Sequence, residues 1–407
     1  MGLIILASLA MFAGAFVLIN DWIDDDDDDT TVRDEVETPD DGDDGEDDTD
    51  EDAIRGTGDE IVHGTQGDDT IIGGGNAVML GRDGNDDITL TNAATGYGGE
   101  GDDTISAAHE TQGSGYLGND TLFSTHQATI AGGDGNDTLT ATDNSHAHGG
   151  AGDDLLTLDD NARGDGAFGD DTLIATENAR ANGNEGNDTL SGDDNARLMA
   201  GSGDDELTLA GAATGFGGEG NDLLTATDTA EAHGGGGDDI LNLNGTATGH
   251  GGGGDDTLSA EEGSGATLYG GGDDDMLSAY AGATLDGGAG DDTLSLTTPT
   301  DATDSEASLL SGGSGADLFN ITHEAEGATP ETAAAITIAD FNSSEDMLQI
   351  TSDTPDSIDI TQGDDTTPTE LRLTYAGQPD LLIQLSNGAA VTEADITFVP
   401  PATVLAS

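Results

Sequence analysis

Gly132-Gly133-Asp134-Gly135-Asn136-Asp137-Thr138-Leu139 is the stretch on which the fold turns. Three glycines, an acid and a final Asx-Asp pair make a tight polar corner, and the Thr-Leu that follows starts a strand. The corner recurs. Its last Asp returns every 17 residues at Asp69, Asp86, Asp103, Asp120, Asp137, Asp154, Asp171, Asp188, Asp205, Asp222, Asp239 and Asp256. Twelve anchors in register do not arise from composition, and a fixed short period means a solenoid with one turn per repeat. After Asp256 the spacing becomes 19, 17 and 25, reaching Asp275, Asp292 and Asp317. The excess over 17 is 2 and then 8, which extra residues in the corner opposite the anchor would supply. Asp273 replaces the usual glycine before Asp275, so Asp274 is a neighbouring candidate there.

Two residues past each regular anchor stands Ile or Leu, from Ile71 to Leu258. Four past it the residue is small or apolar, as in Leu90, Ala107, Ala141, Leu158 and Ala175. That alternation predicts a short strand with two inward side chains. A file of small residues eight past the anchor (Ala77, Ala94, Ala128, Ala162, Ala179, Ala196) predicts a second strand facing the first. The expected fold is all-β: a parallel β-roll of 17-residue turns over residues 56–319, around a thin aliphatic core. Residues 320–407 lose the repeat and read as a β-rich cap, with strand-like runs at Ala335–Ala339, Leu371–Tyr375 and Leu381–Leu385.

The 407 residues carry 85 acidic side chains, seven arginines and no lysine, for a formal charge of -78. Such acidity repels nucleic acid and anionic membrane surfaces, so the partners implied are cations. No cysteine is present, which leaves oxygen donors. Residues 3–19 hold no charge and, as a short helix, would reach roughly 26 Å. Residues 1–20 are expected to be a membrane tether, or a signal segment without the usual basic start. Residues 21–55 read as an acidic disordered linker.

The corner chemistry points to calcium. Glycines expose carbonyls at close range, Asp adds a carboxylate, and calcium takes roughly six to eight such oxygens. One corner supplies too few, but two stacked about 4.8 Å apart could share an ion. Carboxylates stacked that closely repel unless something neutralises them. The expected ligands are the fifteen anchor carboxylates together with corner glycines such as Gly132, Gly135, Gly149, Gly152, Gly287 and Gly290. The first glycine stands in thirteen of fifteen corners, with Ala200 and the Gly270 turn set apart.

Gly132 to Leu139 and Gly287-Gly288-Ala289-Gly290-Asp291-Asp292-Thr293-Leu294 resemble the nine-residue motif of the repeats-in-toxin family. Gly56-Thr57-Gly58-Asp59-Glu60-Ile61 precedes the next copy by nine residues, as that family's half-turn would. The resemblance spans residues 56 to about 320 and implies several calcium ions along the anchor edge. Most turns depart from the family by carrying the motif on one edge only. Gly312-Gly313-Ser314-Gly315-Ala316-Asp317-Leu318-Phe319, Ile338-Ala339-Asp340-Phe341-Asn342 and Glu345-Asp346-Met347-Leu348 resemble the segment that follows such repeats in serralysin-like secreted proteins. That likeness implies type I export, and so an extracellular place. Ordering 17 residues per turn costs roughly 25 kcal/mol, and one Leu with a few alanines recovers only part of it, so the roll is expected to fold on calcium uptake.

Other files lie beside the motif. Asn144, Asn161, Asn178 and Asn195 predict a stacked amide ladder. Arg163, Arg180 and Arg197 are expected to pair with Asp160, Glu177 and Asp194. His146, His148, His233 and His250 read as surface residues without a metal-binding spacing. Thr104, Thr121, Thr138, Thr140, Thr172, Thr189, Thr208 and Thr225 give a face that suits strands. It also supports the alternative function: an adhesin, or a module binding ice, polysaccharide or a cell surface. His323-Glu324 lacks the spacing of a zinc-protease pair, no nucleophile elbow or phosphate loop occurs, and nothing points to an enzyme.

Overall fold

A computed structural model describes residues 53–298, 307–323, 334–352, 355–364, 367–375, 380–387 and 389–400. The expectations for residues 1–20, the short apolar helix included, lie outside these, as do those for the acidic stretch up to residue 52. Among the described residues no helix is long and apolar enough to cross a membrane.

The chain is an all-β parallel solenoid of about fourteen turns with 17-residue spacing. Leu155–Leu158 and Arg163–Phe168 show one turn: a short strand after the anchor, a corner, a longer strand, and the glycine corner leading to the next anchor. Strands that follow anchors stack into a first sheet, and strands that lead to them into a second. Leu139 stands beside Leu156, and Leu156 beside Leu173, in unbroken parallel register.

The core is a single layer between the sheets. Ile71, Leu122, Leu139, Leu156, Leu173 and Leu224 are fully buried, two residues past their anchors. In several turns the facing strands trade volume. Where the residue four past the anchor is large, as at Leu158, Leu209 and Leu243, the facing strand presents Gly164, Gly215 and Gly249. A Cβ on Gly164 would lie 2.6 Å from Leu158 Cδ1, so the glycine is there for lack of room. Elsewhere the roles reverse, and Gly192 leaves space for Leu198.

The alanine file does not form the second strand, as the spacing suggested. Ala94, Ala128, Ala162 and Ala179 are buried in the corner itself, one residue before the second strand begins. Left-handed residues such as Asp160 and Asn161 (φ 50° and 66°) reverse the chain within about four residues, which delays the strand.

The irregular spacings fall where expected. Six residues, 261–266, separate Thr257–Ala260 from Thr267–Gly272, against four at 244–247, and the anchor edge keeps its register. The 25-residue step likewise widens the gap between Thr293–Thr298 and Ser308–Ser314. Stacking continues past residue 320. Leu318 pairs with Met347 and Leu348 with Ile396 in the first sheet, and Ile338 pairs with Leu385 in the second. An antiparallel hairpin, Ser357–Thr361 with Thr369–Thr374, folds against Leu381–Leu385. Here Phe319, Phe341, Tyr375 and Val391 thicken the core. At the other end Ile54 pairs with Ile71, so Gly56 lies in the first sheet, leading toward the corner opposite the anchors.

Candidate metal centre along the anchor edge

Two kinds of glycine build each anchor corner. Gly135, Gly152 and Gly290 have φ of 138°, 125° and 141°, a region closed to most L side chains. Gly132, Gly149 and Gly287 have no such φ, and their requirement is space. A Cβ on Gly132 would run into the Asp137 carboxylate and meet the Gly149 carbonyl oxygen at 2.7 Å. The anchor Asp folds inward over this glycine, and the next turn's carbonyl borders the same point.

Each anchor carboxylate splits its two oxygens. Oδ1 accepts the backbone N–H of the preceding anchor: Asp120 N–H to Asp137 Oδ1 at 2.7 Å, Asp137 to Asp154 at 2.8 Å, and so on along the edge. A second ladder runs beside it in the opposite sense. Asn136 Oδ1 accepts the N–H of Asp153, and Asp153 Oδ1 that of Asp170, both at 3.1 Å. Inner side chains therefore reach back one turn, and outer ones reach forward.

Among the described residues, Oδ2 of the inner file lacks a hydrogen-bond partner along most of its length. It is buried and lacks a hydrogen-bond donor in thirteen anchors: Asp86, Asp103, Asp120, Asp137, Asp154, Asp171, Asp188, Asp205, Asp222, Asp239, Asp256, Asp275 and Asp292. These residues are only 1–2% exposed. Loss of hydration, more than anything else, raises their carboxyl pKa, and neighbouring acids add to it. The hydrogen bond from the preceding anchor offsets part of the rise. Asp137, Asp188 and Asp256 are pushed up to about 6, Asp120, Asp171 and Asp239 to about 7, and Asp154 to about 8.

Asp275 takes the anchor place and Asp274 the outer one, because Asp256 N–H binds Asp275 Oδ1 while Asp291 N–H binds Asp274 Oδ1. Asp273 substitutes for glycine at a φ of 77°. Gly270 borders Asp275 as the other first glycines border theirs, so Ala200 alone departs from that position over the fifteen anchors.

The ends of the file differ from its middle. Asp69 is half-buried, and its Oδ2 accepts the Thr65 N–H at 2.6 Å. At the far end Asp317 passes its N–H to Asp346, an anchor 29 residues on that the spacing did not reveal. Asp346 Oδ2 accepts the Asn342 N–H at 2.7 Å, so both terminal carboxylates are closed by N–H groups of their own corner. Asp340 accepts from the Gly312 and Gly313 N–H groups and caps the last regular corner.

The side files resolve differently from expectation. Asn144, Asn161, Asn178 and Asn195 are exposed and form no side-chain ladder among the described residues; Asn144 and Asn161 serve the corner through left-handed φ. The side-chain ladder lies instead in the outer anchor file, where Asn and Asp Oδ1 atoms accept the N–H of the next turn. Arg163, Arg180 and Arg197 do stack in register, yet none is within ion-pair distance of Asp160, Glu177 or Asp194 among the described residues. Arg197 lies over the Phe216 ring, 4.4 Å from its centroid. His233 and His250 share one register position and stack at 4.6 Å, which the reading of scattered surface histidines missed. Thr104, Thr121 and Thr138 align on the first sheet's outer face, and Leu155, Glu206 and Leu223 interrupt the row. No protein-family model matches this chain, and neither does any curated protein.

Proposed function

We propose that the anchor edge is a row of calcium sites and that this chain, as its motif resembles, is a repeats-in-toxin roll that folds on taking up calcium outside the cytosol. The file of thirteen buried Oδ2 atoms without donors carries this reading. A buried carboxylate with one oxygen lacking a donor and no cation beside it costs several kcal/mol, and thirteen would exceed the roughly 5–15 kcal/mol net stability of a folded domain. Asp137 Oδ2 and the Gly149 carbonyl would hold one ion, and their equivalents the others. Calcium would supply the positive charge that the site lacks, and its preference for oxygen matches the donors.

The test is a calcium titration of chelator-treated protein at pH 8, followed by circular dichroism and calorimetry. A disordered spectrum should turn β-rich, with several sites of Kd about 10⁻⁴–10⁻³ M, as in extracellular modules. A β-rich spectrum in chelator that calcium leaves unchanged would refute the reading. Such weak sites suit an extracellular protein, exported by the type I route its C-terminal words resemble or tethered by residues 3–19; cell fractionation separates the two. The in-register threonines support a second reading, an adhesive face for ice or polysaccharide. Thr121→Lys and Thr138→Lys should then abolish binding to that surface while calcium uptake is unchanged.

A further inference from the structure

Four rings stack face to face on the outer side of the second sheet: Phe216, His233, His250 and Tyr269. Successive centroids are 4.6, 4.6 and 4.7 Å apart, with interplanar angles of 3°, 4° and 5°. The outer rings fence the imidazole pair on both sides and hold its nitrogen edges in common orientation. Glu231 stands two residues before His233 on the same strand face. Its Oε1 lies 3.1 Å from His233 Nε2 and 3.8 Å from His250 Nε2. The three ligand atoms lie within 4.8 Å of one another. All three side chains keep solvent access, at 28%, 36% and 49% for His233, His250 and Glu231.

We infer that Glu231, His233 and His250 form a surface site for a zinc-class transition-metal dication. Zinc bound at about 2.0–2.2 Å to nitrogen and oxygen sets tetrahedral ligands about 3.4 Å apart, and the two Glu231 distances bracket that value. To bind, the two imidazole planes would tilt out of their parallel stack so that both Nε2 lone pairs converge beside Glu231 Oε1, leaving the fourth position to water. Imidazole favours zinc, copper and nickel over calcium, so this site and the all-oxygen anchor edge select different ions. Backbone alternation separates them too, because His233 points outward while Gly234 beside it faces Asp239. A bound ion would clasp two successive turns, those closed by Asp239 and Asp256.

The experiment uses the full chain, folded as judged by circular dichroism in saturating calcium, and titrates Zn²⁺ by calorimetry while imidazole ¹⁵N shifts are recorded. One zinc should bind with the calcium still in place, moving the resonances of His233 and His250 and not those of His146. Affinity should fall at least tenfold in His233→Gln and in His250→Gln, and stay the same in His146→Gln. Zinc uptake unchanged in the double variant, or ¹⁵N shifts spread over every histidine, would assign the binding to the acidic surface and overturn the site. So would an absence of zinc binding in the unaltered chain. The ¹⁵N readout needs no variant, and the folded-state check keeps a failure here separate from a failure of the calcium reading.

Discussion

At the scale of one residue, the anchor Asp poses a problem that chemistry can solve in three ways: with a cation, with a proton, or with an amide. Asp154→Asn keeps the shape and offers an N–H to the Gly166 carbonyl, which borders Asp154 Oδ2 through Gly149. Calorimetry should find local calcium uptake lost in this variant, while its fold survives chelator better than that of the unaltered chain. Asp154→Ala instead strips both ladder and ligand, leaves the Asp137 N–H without its acceptor, and should raise the calcium needed for folding. The proton route predicts acid rescue. These carboxyls have folded values raised to about 6–8, so without metal their contribution is fully present below the unfolded value near 4. It drains away as pH climbs through 6 to 8. In chelator the chain should gain β-structure between pH 8 and pH 4.5, whereas in calcium acidification should release the ion. Circular dichroism showing the chelated chain equally disordered at both pH values would contradict the buried placement of Oδ2.

At the scale of one turn, the first glycine is a volume requirement, and the protein has already varied it once. Ala200 places a methyl where Gly183 and Gly217 leave space, beside Asp205. Ala200→Gly should add or tighten one calcium site, and Gly149→Ala should remove one and cost stability as well, since its Cβ would meet the Gly166 carbonyl oxygen at 2.7 Å; stoichiometry by calorimetry reads both. In the outer file Asp153→Asn should be nearly silent, since that file already mixes Asn and Asp. Asp153→Ala should cost about 0.5–1.5 kcal/mol for one hydrogen bond, visible as a modest rise in the calcium midpoint. The period, both strands' existence and the interior anchors were legible because ligand, turn residue and aliphatic residue repeat together. Asp346 was not, because its step is 29 residues and Phe341 occupies the glycine place. The pairing of Leu158 with Gly164 was also hidden, since each strand alone shows irregular sizes and the trade appears only when the two are read together. His233 and His250 sit 17 apart, but the neighbouring Tyr269 is displaced by the two-residue insertion, which masks the stack.

At the scale of the molecule, an array held by nearest neighbours fails from its ends. Truncation before Asn320 removes the acceptor that Asp346 offers the Asp317 N–H and uncovers Phe319. The truncated roll should need more calcium and fold less sharply by circular dichroism; an identical titration curve would show that residues 320–407 do not stabilise it. The six-residue corner at 261–266 has a further consequence. Like teeth on a ratchet, rungs of equal length let a chain mesh one tooth out of step, and each mismatched pairing would look locally sound. One tooth of different pitch makes such a slip visible to the whole assembly, because two surplus residues would then face a corner with no place for them. Deleting Glu262 and Gly263 erases that mark for the rungs before the wider step at Asp317. Distances between spin labels placed on either side of it should broaden from one population to several spaced by a rung.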